Sequence, residues 1–182
     1  NKFNKNIDLV TADGGFDFSI DFNNQEKMSY RILFCEIVSA LSIQKNGGNF
    51  VCKFFDLYTL NTIKLLYLLT FYYNNVFISK PITSRPANSE KYIICKNFKG
   101  IDDFKLNNLY NIVKNWENMK ENDLFNFINV KDDFINKIKN YNNLITKNQI
   151  SNIKQTLDII NNEENLGTIS NIIKEQTVSA VS

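Results

Sequence analysis

The chain has 182 residues, 43% of them hydrophobic, and a formal net charge of +2. That is enough for one substantial core and too mild a charge to mark a nucleic-acid binder by bulk electrostatics. It contains no histidine, which excludes a Ser-His-Asp triad, a Cys-His pair and imidazole metal ligation within this chain. Its three cysteines, Cys35, Cys52 and Cys95, are far apart in apolar runs, so they read as buried thiols in a reducing compartment, and no metal site is expected. No secretory signal is visible at the start, and the apolar run from Leu60 to Tyr73 is too short for a bilayer and contains Lys64. The expectation is a soluble, intracellular protein with no membrane partner.

In chain order, Ile7 to Ala12 reads as a buried strand, followed by Asp13 and the pair Gly14-Gly15, which gives the backbone freedom for a sharp exit. Asn23 with Glu26 three residues later resembles a capping box. Tyr30, Leu33, Phe34, Ile37, Val38 and Leu41 then recur at helical spacing, predicting a long amphipathic helix with Lys45 in its last turn and Gly47-Gly48 at its C-terminus. Phe50 to Phe55 is the next buried strand, with Lys53 at its end. Thr59 caps a largely buried helix running to about Tyr72, and Val76 to Ser79 returns as a strand. Strand alternating with helix predicts parallel βαβ units, and the short connection into Tyr92 to Cys95 permits an antiparallel last strand.

The connection itself, Lys80 to Lys96, holds both prolines, Pro81 and Pro86, which stiffen it. Between them and just after lie Ser84, Arg85, Asn88, Ser89 and Glu90. Their hydroxyl, guanidinium, amide and carboxylate groups suit recognition of phosphate, sugar hydroxyl or amine. In an open α/β sheet ligands bind beyond the carboxyl ends of strands, so Asp13 and Lys53 are expected to reach one crevice. From about Asp103 the chain becomes Asn- and Lys-rich with helical apolar spacing. Helices are predicted around Leu106 to Trp116 and over Asp123 to Val130, Asp132 to Tyr141 and Lys147 to Ile160, with Gly167 to Ser182 weakly patterned. Gly100 to Asp103 is the best boundary, dividing residues 1–102 from a helical extension over 103–182.

Four stretches carry a resemblance: Ala-Asp13-Gly-Gly-Phe, Asn-x-Gln25-Glu26, Gly-Gly-Asn-Phe-Val-Cys-Lys53-Phe-Phe-Asp-Leu, and Lys-Pro-Ile-Thr-Ser-Arg-Pro-Ala-Asn-Ser-Glu90-Lys-Tyr. In this order, with 40 residues from Asp13 to Lys53 and 37 from Lys53 to Glu90, the chain resembles the FtsJ-like RNA ribose 2′-O-methyltransferases. It is most similar to the mRNA-cap branch of eukaryotes and large DNA viruses. The likeness covers about residues 7 to 100 and implies the C-terminal part of a Rossmann-like, S-adenosylmethionine-dependent α/β sheet with a last antiparallel strand, followed by the helical extension. The family uses a Lys-Asp-Lys-Glu tetrad, whose last three members fall on Asp13, Lys53 and Glu90. The first lysine and the Gly-rich turn that holds much of the cofactor are not in these residues. The expectation is therefore a portion of a larger enzyme, inactive without the upstream half of its domain.

The resemblance implies that Lys53 takes the proton of the ribose hydroxyl, that Asp13 and Gly14 lie near the cofactor, and that Glu90 orients Lys53 or the ribose. It places Asn23, Asn24, Gln25, Ser84, Asn88 and Ser89 on the capped 5′ end of mRNA, with Lys80 and Arg85 on phosphates. Phe16, Phe18 or Tyr58 offers a stacking ring, core packing being the rival. A partner beyond the RNA would be capping or transcription machinery, in the cytoplasm for a viral protein and the nucleus for a cellular one. Plainer readings stand beside these: Asp13 as a turn residue, Lys53 as a snorkelling lysine, and Glu90 as a surface pair to Lys91 or Arg85. Two alternatives for the whole are an RNA-binding scaffold that retains the fold, and a ribosomal-RNA 2′-O-methyltransferase.

Overall fold

The computed structural model describes residues 5–15, 24–120 and 124–161. The elements are β1 (Ile7–Ala12), α1 (Gln25–Met28), α2 (Tyr30–Ile43), β2 (Gln44–Phe54), α3 (Leu60–Tyr72), β3 (Tyr73–Ser79), β4 (Lys91–Phe98), α4 (Asp103–Lys114) and α5 (Asp132–Asn161). The strands form one four-stranded sheet in the order β1-β2-β4-β3. β1 and β2 are parallel, and β4 runs antiparallel to both β2 and β3. The expected antiparallel last strand is therefore the one that joins β2 to β3.

Strand side chains alternate between faces, and the registers sort them. Val10 and Ala12 align with Phe50 and Cys52, which align with Cys95 and Ile93, which align with Val76 and Ile78. This face is the core, where Phe50, Cys52, Phe54, Ile93 and Cys95 are completely buried together with Phe34, Ile37 and Leu41 of α2 and Leu65 and Leu69 of α3. Each such side chain contributes roughly 1.5–3 kcal/mol by leaving water. The opposite face carries Thr11, Val51, Lys53, Tyr92 and Ile94, all partly or wholly exposed.

Several expectations need correction. β1 is not buried: Ile7 is 41% and Leu9 55% exposed, because it is the edge strand of the described sheet and packs inward only through Val10 and Ala12. An apolar run signals a strand but says nothing of its neighbours. The first long helix divides at Ser29 into α1 and α2. It ends at Ile43, so Lys45 lies in β2, paired with Asp8. Gly47 does take a positive φ of 82°, but inside β2, where the register against β1 slips between Ile7 and Leu9 and the strand bulges. The strands also extend beyond their predicted cores, β2 starting at Gln44, β3 at Tyr73 and β4 ending at Phe98.

The α3 prediction holds: Thr59 caps the helix through its side chain, accepting from Thr62 N. Asn23 lies outside the described residues, and the Glu26 carboxylate expected to cap with it instead accepts from Thr59 N at 2.8 Å and Thr59 Oγ1 at 2.9 Å. After Asp102, whose carboxylate caps α4 by accepting from Lys105 N at 2.8 Å, the helices differ from the expected ones in two places. Leu124 to Phe127 is a turn rather than a helix. There Phe125 is held at φ 59° while its ring packs in the core against Phe34 and Trp116. The segments 132–141 and 147–160 are one 30-residue helix, with no Gly or Pro between them to break it. Phe16, Phe18 and Gly167 to Ser182 fall outside the described residues.

The bulge in β2 rests on a close backbone approach. A Cβ on Gly48 would stand 2.9 Å from the carbonyl oxygen of Lys45 and 3.1 Å from those of Asp8 and Ile7, all main-chain atoms that cannot swing away. Gly48→Ala is expected to destabilise the protein by about 1–3 kcal/mol, read as a lower urea midpoint at unchanged slope.

Candidate active site

The face opposite the core carries the titratable residues of interest. Ala12 aligns with Cys52 on the core face, so the next residues, Asp13 and Lys53, point the other way. Lys53 aligns with Tyr92 of β4, and Glu90 lies two residues before Tyr92, on the same side. The geometry follows this parity. Lys53 Nζ lies 2.6 Å from Asp13 Oδ1, with the lysine side chain 14% exposed and the aspartate 66%. Burial alone would lower the Lys53 pKa. The hydrogen bond to Asp13 and the negative charges of Asp13 and Glu90 outweigh it, and the ammonium is held above the ordinary lysine value. Its Nζ also stands 5.5 Å over the Phe55 ring.

The strand end bearing Asp13 is fixed from the core side. Gly14 N donates to Glu36 Oε1 of α2 at 2.7 Å, and a Cβ at residue 14 would meet Ile32 Cδ1 at 2.4 Å. Only glycine lets the backbone sit this close to the helix. The Cys52 thiol, its pKa pushed well up by burial and by the Glu36 charge, lies 3.5 Å from the other Glu36 oxygen.

The loop between β3 and β4 is a hydrogen-bonded unit. Lys80 Nζ donates to Asn88 Oδ1 at 2.6 Å, to Asn88 O at 2.9 Å and to Glu90 O at 3.1 Å, which engages all three protons of an ammonium. Burial and the charge of Lys91 lower its pKa. Ser84 Oγ donates to Asn88 Oδ1 at 3.3 Å, and Asn88 Nδ2 to Glu90 Oε2 at 2.9 Å. Lys80, Ser84 and Asn88, expected on the ligand, are thus committed to holding the loop that carries Glu90. Ser89 Oγ faces Gln25 Oε1 at 3.4 Å, Arg85 is exposed, and Asn24 is exposed at the start of α1. A cleft of about 380 Å³ opens beside them, lined among others by Gln25, Asp56, Tyr58, Arg85, Ser89 and Glu90. Tyr58 is 58% exposed and its hydroxyl meets Thr146 Oγ1 of α5 at 2.8 Å.

The arrangement pairs an amine with one acid and brings the charge of a second, Glu90, to bear on it; Glu90 also lines the cleft, whose wall offers a guanidinium, amides and an exposed ring. It can hold or move a proton at Lys53 Nζ beside a polar ligand. A family model described as FtsJ-like methyltransferase matches residues 1–98, more than half of the chain. The chain belongs to the FtsJ-like methyltransferase family. It is 46% identical over 119 residues to cap-specific mRNA (nucleoside-2′-O-)-methyltransferase 1 of Mus musculus, covering 62% of this chain and 14% of that protein. The Homo sapiens protein of the same name is 48% identical over 102 residues, covering 56% and 12%. The Xenopus laevis protein is 40% identical over 124 residues, covering 68% and 14%. The chain thus spans about one seventh of the length of these relatives at most. A Plasmodium falciparum crystal structure described as a ribosomal RNA methyltransferase superposes at a TM-score of 0.37, with 25% identity over 53% of this chain and 50% of that one, too loose a likeness to bear an argument.

Sequence reasoning overlooked three residues around this site. Glu36 had a signal, being the only acid in the apolar run of α2. Gln149 of α5 donates to Asn88 O at 2.8 Å, and nothing in its local sequence marks it. Lys91, expected at the surface beside Glu90, is enclosed instead. It is 2% exposed and donates to Ser89 O at 2.8 Å, Phe55 O at 2.9 Å and Asp56 Oδ1 at 3.4 Å. Burial lowers its pKa, and the Asp56 charge only partly opposes this. Lys91→Met keeps the apolar stem and strands two buried carbonyls, so a loss of about 2–4 kcal/mol in stability is expected, measured by chemical denaturation.

Proposed function

We propose that this chain contributes the catalytic lysine of a methyltransferase that acts on a ribose 2′-hydroxyl near the 5′ cap of mRNA, with S-adenosylmethionine as methyl donor. The observation that carries the reading is the Asp13–Lys53 contact at 2.6 Å with the Glu90 charge in reach. The names of the relatives support the substrate. The donor set fits the cofactor: the Asp13 carboxylate is two-thirds exposed, and a cationic ligand suits so open an acid. When bound, S-adenosylmethionine supplies an electrophilic methyl group on a sulfonium. Among the described residues, Asp13 would hold its reactive end, while the Gly14 N–H, expected there too, is committed to Glu36 Oε1.

The work of the chain is to place and deprotonate an oxygen. Lys53 Nζ accepts the 2′-hydroxyl proton while its hydrogen bond to Asp13 keeps the amine from swinging, so that much of the acceleration comes from orientation. Only the neutral amine can accept. The two acids favour the ammonium, whereas a neighbouring cation, such as the further lysine of the family tetrad in an upstream half of the domain, would favour the free base. The four groups then titrate as one set. Arg85, exposed on the cleft wall, would pair with a phosphate and position the RNA without reading its sequence, and Tyr58 offers a ring for a base.

In the intact protein, Lys53→Ala should lower methyl transfer to capped RNA by about 10²–10⁴-fold. Activity equal to wild type would remove the assigned base. Equal rates on capped and uncapped RNA would count against a cap substrate, and a wild type that binds capped RNA but transfers no methyl group would favour a scaffold. The pH dependence has a definite sign. Asp13 raises the Lys53 pKa, so Asp13→Asn lowers it, and the rising limb of rate against pH should move to lower pH while the plateau falls. An unmoved limb would show that another group titrates.

A further inference from the structure

The long helix of the extension touches the site at three points. Asn142, Thr146 and Gln149 are spaced four and three residues apart and so share one face of α5. Asn142 Nδ2 donates to the buried Leu57 O at 2.8 Å, Thr146 Oγ1 meets Tyr58 O–H at 2.8 Å, and Gln149 Nε2 donates to Asn88 O at 2.8 Å. The first two hold the segment that follows β2, just beyond Lys53. The third holds the loop that ends in Glu90. The helix thus bridges the two chain segments that carry the amine and the second acid, although it lies wholly beyond residue 98, where the family match stops.

From this geometry we infer that Gln149 is a positioning residue for Glu90, acting through Asn88. The path is continuous. Gln149 fixes the Asn88 main chain, Asn88 Nδ2 donates to Glu90 Oε2 at 2.9 Å, and Lys80 locks both the Asn88 side chain and the Glu90 carbonyl. A glutamate has three rotatable bonds before its carboxylate, and an amide partner held from behind removes most of that freedom. Without the bond from α5, the loop keeps its internal contacts and its ties at Ser89 to Gln25 and Lys91, but the Asn88 main chain loses its anchor, and the amide that holds the Glu90 carboxylate loosens. Gln149 also lines the cleft beside Arg85 and Glu90, so the extension is a wall of the site as well as its support.

The inference rests on the reading of Glu90 as part of a methyl-transfer site, and the test separates the two. Gln149→Met keeps the side chain's length without its amide, and Gln149→Glu keeps its shape but cannot donate to a carbonyl. Both are compared with wild type, in the intact protein, by steady-state methyl transfer to capped RNA and by amide hydrogen exchange over residues 84–90. Both variants should lose about 10-fold in kcat, with KM for capped RNA changed less than about twofold, and exchange should quicken at Asn88, Ser89 and Glu90. Adding Gln149→Met to Asn88→Ala should cost little more than Asn88→Ala alone, because both act along one path. An unchanged kcat with unchanged exchange, or a loss confined to KM, overturns the inference. A wild type inactive on capped RNA overturns the functional reading instead, and the exchange data then decide this one alone.

Discussion

A buried ammonium is the joint of this site. Lys91 opens β4 with its side chain turned into the protein, where it is almost fully enclosed and ties Phe55 O at the exit of β2 to Ser89 O at the end of the β3–β4 loop. Lys53 lies two residues before the first of these carbonyls, and Glu90 one residue after the second. The spacing between the amine and its second acid is thus set by an interaction on the other face of the sheet. Removing a charge from water is expensive, and Lys91 meets that cost with two main-chain oxygens and the partly exposed Asp56. A lysine in such a place is hard to replace, because a shorter or uncharged side chain leaves carbonyls without donors.

Around this joint the site is built in opposed layers. The core face of the sheet provides rigidity, through completely buried Phe50, Phe54 and Ile93 and through Glu36, which reaches from α2 to the Gly14 amide. The other face carries the Asp13–Lys53 pair. The period of two along each strand separates the functions without any special device. Polar residues in the loop serve the same division: Lys80, Ser84 and Asn88 satisfy one another, leaving Arg85 and Tyr58 exposed toward the cleft.

Glu90 was set beside Asp13 and Lys53 only by the family resemblance, whereas those two were legible as neighbours because each ends a short apolar run, which is a local signal. The antiparallel last strand was legible for the same reason, from the brevity of its connection. The roles of Lys80 and Asn88 were not, since a polar side chain in a stiff loop can face a ligand or its own backbone, and composition does not distinguish the two. Phe125 shows a different limit. Leu124, Phe125 and Ile128 are spaced as on a helix, yet the aromatic packing with Phe34 and Trp116 holds Phe125 at a positive φ, and tertiary contact overrides local pattern. The exposure of β1 depends on which strand lies beside it, and no local signal carries that information.

The placement of β4 between β2 and β3 has a consequence for how the molecule comes into being. β2 and β3 share no ladder; each bonds to β4, which follows both in the chain. During synthesis, β1, α2 and β2 can assemble as a parallel unit as they emerge, whereas β3 must wait with its main-chain donors and acceptors turned to water. Among the described strands, the last one made is therefore the one that joins the others, and it is the strand whose first residue is Lys91. Completion of the described sheet and alignment of Glu90 with Lys53 are a single event, so a nascent chain can hold the Asp13–Lys53 pair before it holds the second acid.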